Sequence, residues 1–258
     1  MKKILVLSLI LSCLAQVARA QSNSVEINNK KGVLYMGFGT NRSFYTRNDI
    51  SFKGSNFDFT LEKVSAKDDG GLKFDNGGAA QYSYQVGYYL KTKKFGVEFN
   101  FDHIKYFMRQ NQVVHLNGII NNKIVQKDTL ITPAFIEFEH SDGANYALFN
   151  FVKWKTLSIS QNKKNTLDLV GKAGIGPVIP KTNSTIMGKH SDDTYKVSGF
   201  VIALEGGVRY NFLKNFYVAP SFKGSFANYS HFKIADGHGN QHWFGAHFNL
   251  LVGGQVNL

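Results

Sequence analysis

Seven charged side chains stand out because they share the polar phase of otherwise apolar alternating stretches. They are Glu98, Asp102, Asp168 and Glu205, with Lys172, Arg209 and Lys223. Four acids facing three bases can pair off as an ion-paired plug in a closed space, or line a narrow polar or gated path. The histidines are the next place to look. His231, His238, His242 and His247 gather in or beside one stretch with Asp236, and imidazole with carboxylate can hold zinc or copper. No two of them keep a recognised ligand spacing, and Asp-Gly-His-Gly-Asn is first of all turn chemistry, so no metal site is expected. His140-Ser141-Asp142 suggests a hydrolase, but neighbours on a strand face opposite sides and cannot form a triad without a bend. Gly171-Lys-Ala-Gly-Ile-Gly lies in a strand with no helix after it, which removes the phosphate-loop reading. The expectation is no catalytic residue, no metal, no cofactor, and a polar network of the seven charged groups.

The elements that must position that network are read from alternation. In Gln81–Leu90, Tyr82, Tyr84, Val86, Tyr88 and Leu90 oppose Gln81, Ser83, Gln85 and Gly87. After a Lys-Thr-Lys-Lys turn, Phe95, Val97, Phe99 and Phe101 oppose Gly96, Glu98, Asn100 and Asp102. Side chains of a strand alternate between faces, so this is a hairpin with an aromatic wall and a polar wall. The same pattern recurs over Gly32 to Tyr45, Ala144 to Leu157, Thr166 to Val178, Val197 to Phe212, Asn215 to Tyr229 and Trp243 to Leu258. In Ala144–Leu157, Tyr146, Leu148, Val152 and Trp154 share a face while Phe149 and Phe151 break the phase. Pro177 and Pro180 end the Thr166 strand, because proline cannot serve a central ladder.

The chain start sets the compartment. Met1-Lys2-Lys3 is a positive region, Ile4 to Leu11 a short apolar core, and Val17-Ala18-Arg19-Ala20 a signal-peptidase site, so residues 1–20 read as a signal peptide. Ile10-Leu11-Ser12-Cys13 loosely resembles a lipoprotein box, which would instead acylate Cys13. Cleavage after Ala20 leaves no cysteine, hence neither a disulfide framework nor thiol chemistry. Loss of Lys2, Lys3 and Arg19 takes the formal charge from +12 to +9. An exported chain of that charge points to lipopolysaccharide or another acidic surface, not nucleic acid. No later segment is long and apolar enough for a spanning helix.

Link lengths give the topology. Lys91–Lys94, Ser158–Asn165 and Leu213–Lys214 are short, while Thr46–Gly78, Met108–Gly143, Lys181–Lys196 and Ser230–Gln241 are long. Within the long links, Phe57–Leu61 reads as a strand, and His115–Val125 as a local hairpin turning at Asn117-Gly118. Strict short–long alternation predicts an all-β, antiparallel up-and-down transmembrane barrel of about eight strands over residues 21–258. Short periplasmic turns and long external loops complete that pattern. A soluble barrel binding a lipophile would need its aromatic face turned inward, which the opposite phase of the charges disfavours.

On that strand pattern, and on the terminal strand Trp243 to Leu258, the sequence resembles the small OmpA- and OmpW-type outer-membrane barrels. It departs from them in ending Gln-Val-Asn-Leu where the family usually ends in Phe, the residue the barrel-assembly machinery reads. The resemblance implies a structural, surface-contact or small-molecule passage role in the outer membrane. Its implied partners are membrane lipid, lipopolysaccharide, the assembly machinery and an external ligand or protein at the loops. The alternative is a lipid A deacylase or acyltransferase, which needs His, Ser and a carboxylate together at lipid level.

Overall fold

The computed structural model describes residues 32–68, 81–92, 94–162 and 165–258; the signal-peptide and lipoprotein-box readings lie outside them. In chain order the first strands are β1 (Val33–Tyr45), β2 (Asn48–Gly54), β3 (Phe57–Val64), β4 (Ala66–Lys67), β5 (Tyr82–Leu90) and β6 (Phe95–His103). Next come β7 (Tyr106–Met108), β8 (Val113–Ile120), β9 (Lys123–Leu130), β10 (Ile136–His140), β11 (Ala144–Ile159) and β12 (Thr166–Pro180). The last are β13 (Asn183–Ile186), β14 (Lys189–Asp192), β15 (Gly199–Phe212), β16 (Phe216–Ile234) and β17 (Gly237–Asn257).

Eight of these, β1, β5, β6, β11, β12, β15, β16 and β17, hydrogen-bond in that order, and β1 returns to β17 to close the ring. The closing seam runs antiparallel from Val33 opposite Asn257 to Tyr45 opposite Gly245. Closure leaves no unpaired edge, the condition for strands in a hydrocarbon layer. The outward phase is apolar through the middle of the ring: Met36, Phe38, Phe149, Ile175, Leu204, Phe222, Phe244 and Val252 are each exposed by more than half, and Lys153 and Lys155 join it only toward the end of β11. The inward phase carries the charges. In β11 the ambiguous phase resolves as Phe149 and Phe151 outward, with Tyr146, Leu148 and Val152 buried and Trp154 half-buried inside.

The described parts of the long links carry strands of their own. The far ends of β16 and β17 continue past the ring, and β17 there pairs with β2, which leads through β3 to β8 and β9. A second sheet of β14, β13, β10, β7 and β4 faces this extension. Between them Ile50, Phe52, Phe59, Leu61, Leu116, Ile136, Phe138 and Phe232 are almost wholly buried in one apolar core. Four sequence readings are corrected here. Lys181–Lys196 contains the β13–β14 hairpin. Ser230–Gln241 is mostly strand. Pro177 does not end β12 but sits opposite Phe200 on its last rung with β15, where the paired register with β11 has a gap. The β8–β9 hairpin turns at Asn121-Asn122, both at positive φ, while Gly118 pairs with Val125 inside the ladder. Two successive left-handed residues are what a tight primed turn requires, and Asn tolerates that region.

One irregularity explains why the external strands hide. Along β16 the even positions Phe216, Phe222 and Phe226 face outward and the odd ones, to Tyr229, face inward. The register with β17 then slips between Tyr229 and Phe232, where His231 has φ 55°. After this bulge Phe232 and Ile234, even positions, are buried. A bulge adds one residue and so exchanges the faces of everything beyond it. The aromatic phase thereby turns from the lipid side to the external core.

Candidate functional site

The inward phase brings five of the seven predicted charges into one chain of contacts. Lys172 Nζ, from β12, lies 2.9 Å from Glu98 of β6 and 3.1 Å from Glu205 of β15. Lys223 Nζ, from β16, lies 3.2 Å from Glu205 and 2.5 Å from Asp102 of β6. The order is therefore Glu98, Lys172, Glu205, Lys223, Asp102, each cation between two carboxylates. Neutral donors complete the carboxylates: Tyr35 and Asn150 donate to Glu98, Ser221 to Glu205, and Ser83 and Asn100 to Asp102. Burying charges is costly unless each is paired and hydrogen-bonded, and here each is.

The remaining two charges do not join that chain. Asp168 and Arg209 oppose each other across β12 and β15, yet Asn211 stands between them. Asn211 donates to Asp168 at 2.6 Å and accepts from Arg209 Nε at 3.0 Å. The Arg209 guanidinium lies over Tyr217 at 3.7 Å, Trp154 at 4.6 Å and Tyr35 at 4.9 Å from the ring centroids. Cation–π contact takes the place of a direct ion pair between Arg209 and Asp168. Sequence reading missed this aromatic collar because Tyr35, Trp154 and Tyr217 look like three isolated residues on three distant strands. Glycine makes its room: a Cβ at Gly87 would collide with the Tyr35 ring, and one at Gly253 with Tyr217.

The lumen is closed at both ends. Toward the short turns, Arg209 and its three aromatics, with Tyr89 stacked on Trp154 at 4.0 Å, fill the section. Toward the external sheets, Trp243 stacks on Tyr229 at 4.4 Å and on Tyr106 at 4.7 Å and donates to Tyr146. This upper plug is part of the external core, so barrel and external unit share one interior. Beside Tyr35, Glu98, Lys172 and Arg209 a cavity of about 20 Å³ remains, room for one water. An eight-stranded ring has an interior that side chains can fill, and these do.

The histidines separate. His247 lies inside the barrel between Ser43 and Ser225, each at 2.8 Å. His231 and His238 stack on one another at 4.8 Å near the external tip, while the nearby Asp236 is bound to Lys189. His242 faces outward beside Phe226. The cluster read from the sequence is thus not a cluster, and no group of three or more metal-ligating side chains occurs among the described residues. His140, Ser141 and Asp142 also diverge: Ser141 binds Glu139, Asp142 binds Lys181, and His140 is buried against Tyr229. Gln241 donates to His140 Nε2 at 2.7 Å, leaving Nδ1 to meet Thr182 at 3.0 Å. With no carboxylate beside it, burial holds the His140 pKa down at about 3, so this ring is neutral.

A closed ring with an apolar exterior and a charged interior decides the architecture. The fold is that of an outer-membrane β-barrel. No family model matches the sequence, and no curated protein does. Among solved structures, the chain is similar to Ail, the attachment invasion locus protein of Yersinia pestis, at 14% identity and TM-score 0.35, covering 88% of this chain and 99% of that one. It is also similar to the N-terminal β-barrel domain of Pseudomonas aeruginosa OprF, at 11% identity and TM-score 0.33, over 88% and 98%. The outer membrane protease OmpT of Escherichia coli aligns at 8% identity and TM-score 0.36, over 92% and 99%.

Proposed function

We propose that this chain is a sealed outer-membrane anchor whose work is done at its external two-sheet unit, as a surface-contact protein. The observation that carries the reading is the continuity of the upper plug with the external core. Trp243, Tyr229 and Tyr106 belong to both, so the barrel mouth is spent on holding the external sheets. A conducting pore needs an aqueous path, whereas this lumen is crossed by a satisfied ion-pair chain and stoppered by aromatics on either side. Passage of small molecules is therefore the weaker of the roles open to such a barrel. The external unit presents edge strands β9 and β14 and a surface that mixes charged side chains with the exposed Ile124 and Leu130 of β9, which suits contact with a protein or polysaccharide partner.

Planar-bilayer recording of the refolded chain from Gln21 tests the reading. Silence is expected. Stable conductance steps would show that one plug opens and would overturn the assignment of a closed anchor.

A further inference from the structure

The surplus of positive charge is not where a surface-binding role would put it. Among the described residues the external unit carries thirteen basic and eleven acidic side chains, and the lumen three basic and four acidic. Among the described residues the short-turn end carries five lysines, Lys91, Lys94, Lys153, Lys155 and Lys214, and no exposed acidic side chain, since Glu98 and Asp168 are buried inside. Most of the net charge of the described chain thus sits on one rim.

The placement of these lysines says what they meet. Lys153 and Lys155 do not lie in a turn. They occupy the outward, lipid-side phase of β11, one and two same-face positions beyond Phe151. Phe151 stacks on Phe95 at 5.1 Å, and Lys94 immediately precedes Phe95. Lys214 lies between Phe212 and Phe216, whose rings stack at 6.1 Å. Aromatic rings mark the level where hydrocarbon gives way to headgroups. A lysine on the lipid phase at that level lays its stem along apolar surface and sends its ammonium to the phosphate layer. A ligand of the aqueous space below, such as a wall polymer, would be met from the turns alone, whereas Lys153 and Lys155 stand on a strand face.

We infer that the short-turn rim is a binding surface for anionic phospholipid headgroups, with the Lys153–Lys155 pair and the flanking Lys94 and Lys214 as its phosphate partners. This rests on the outer-membrane reading above and adds to it the class of lipid and the leaflet. Each lysine near a charged bilayer surface favours association about fivefold, and the effect is screened by salt within about a Debye length.

The test uses the full chain from Gln21 reconstituted in phosphatidylcholine, with spin-labelled phosphatidylglycerol or phosphatidylcholine as the reporting lipid. Expected is severalfold selectivity for phosphatidylglycerol at the protein boundary, falling toward none as salt is raised. The quadruple variant K94Q/K153Q/K155Q/K214Q loses that selectivity. An external control, K53Q/K123Q/K127Q, keeps it. Equal boundary occupancy by the two lipids, or selectivity that survives the quadruple variant, overturns the inference. Failure of the wild-type chain to insert at all, read from protease protection and heat-modifiable mobility, would instead overturn the outer-membrane reading on which it stands.

Discussion

The barrel and the external unit are built from the same period-two alternation turned inside out. In the barrel, Phe222 and Phe244 face lipid while Lys223 and His247 are buried. In the external unit, Phe52 and Phe59 are buried while Lys53 and Asp58 face water, 2.8 Å apart. Along β16 both arrangements occur on one strand, exchanged at the bulge around His231. The difference teaches that solvent, not pattern, selects the face. Where lipid surrounds the sheet, polar groups must satisfy each other inside; where water does, apolar groups collect inside.

The two regions therefore respond oppositely to the same kind of change. The largest effect is expected from Lys223→Met, which leaves Asp102 and Glu205 buried without their shared cation. Removing one partner of a buried pair costs about 3–5 kcal/mol, to be read from urea unfolding of the vesicle-bound barrel. In the external unit a charge matters little and a methyl group matters more. Leu61→Ala, at a fully buried site, is expected to cost about 2–4 kcal/mol. It should appear as faster proteolysis of the external sheets with the barrel's heat-modifiable mobility unchanged. Loss of that mobility too would mean the shared core makes the two regions one cooperative unit.

A pH titration probes the joint between them. His140 has its folded pKa held at about 3 by burial, below the ordinary value of about 6.5. Between those values the unfolded chain binds the extra proton, so stability rises with pH across the window. It is fully present above about pH 6.5 and falls by roughly tenfold in the folding equilibrium per pH unit as pH drops toward 3. His140→Gln should flatten that slope; an unchanged slope would move the sensitivity to another group. The smallest effect belongs to Lys53→Gln, which removes only an exposed ion pair and is expected to leave the melting midpoint of the external unit unmoved.

The sequence by itself determined the ring. Eight strands, their short turns and the inward placement of Glu98, Asp102, Asp168, Lys172, Glu205, Arg209 and Lys223 follow from an alternation that stays in one phase for a whole membrane crossing. Neighbouring barrel strands are also consecutive along the chain apart from the long links, so pairing could be read from order. Only the tertiary structure decided the rest. The external strands are short, one strand exchanges its faces at a bulge, and β2 pairs with β17 some 190 residues away, beyond the reach of any local pattern. The same holds inside the lumen. That Arg209 would lie over three aromatic rings, and that Asn211 would stand between it and Asp168, depended on the stagger between strands and on glycines clearing space. Alternation fixes which face a side chain takes. Which neighbours it finds there is set by register and closure, and these exist only once the ring has formed.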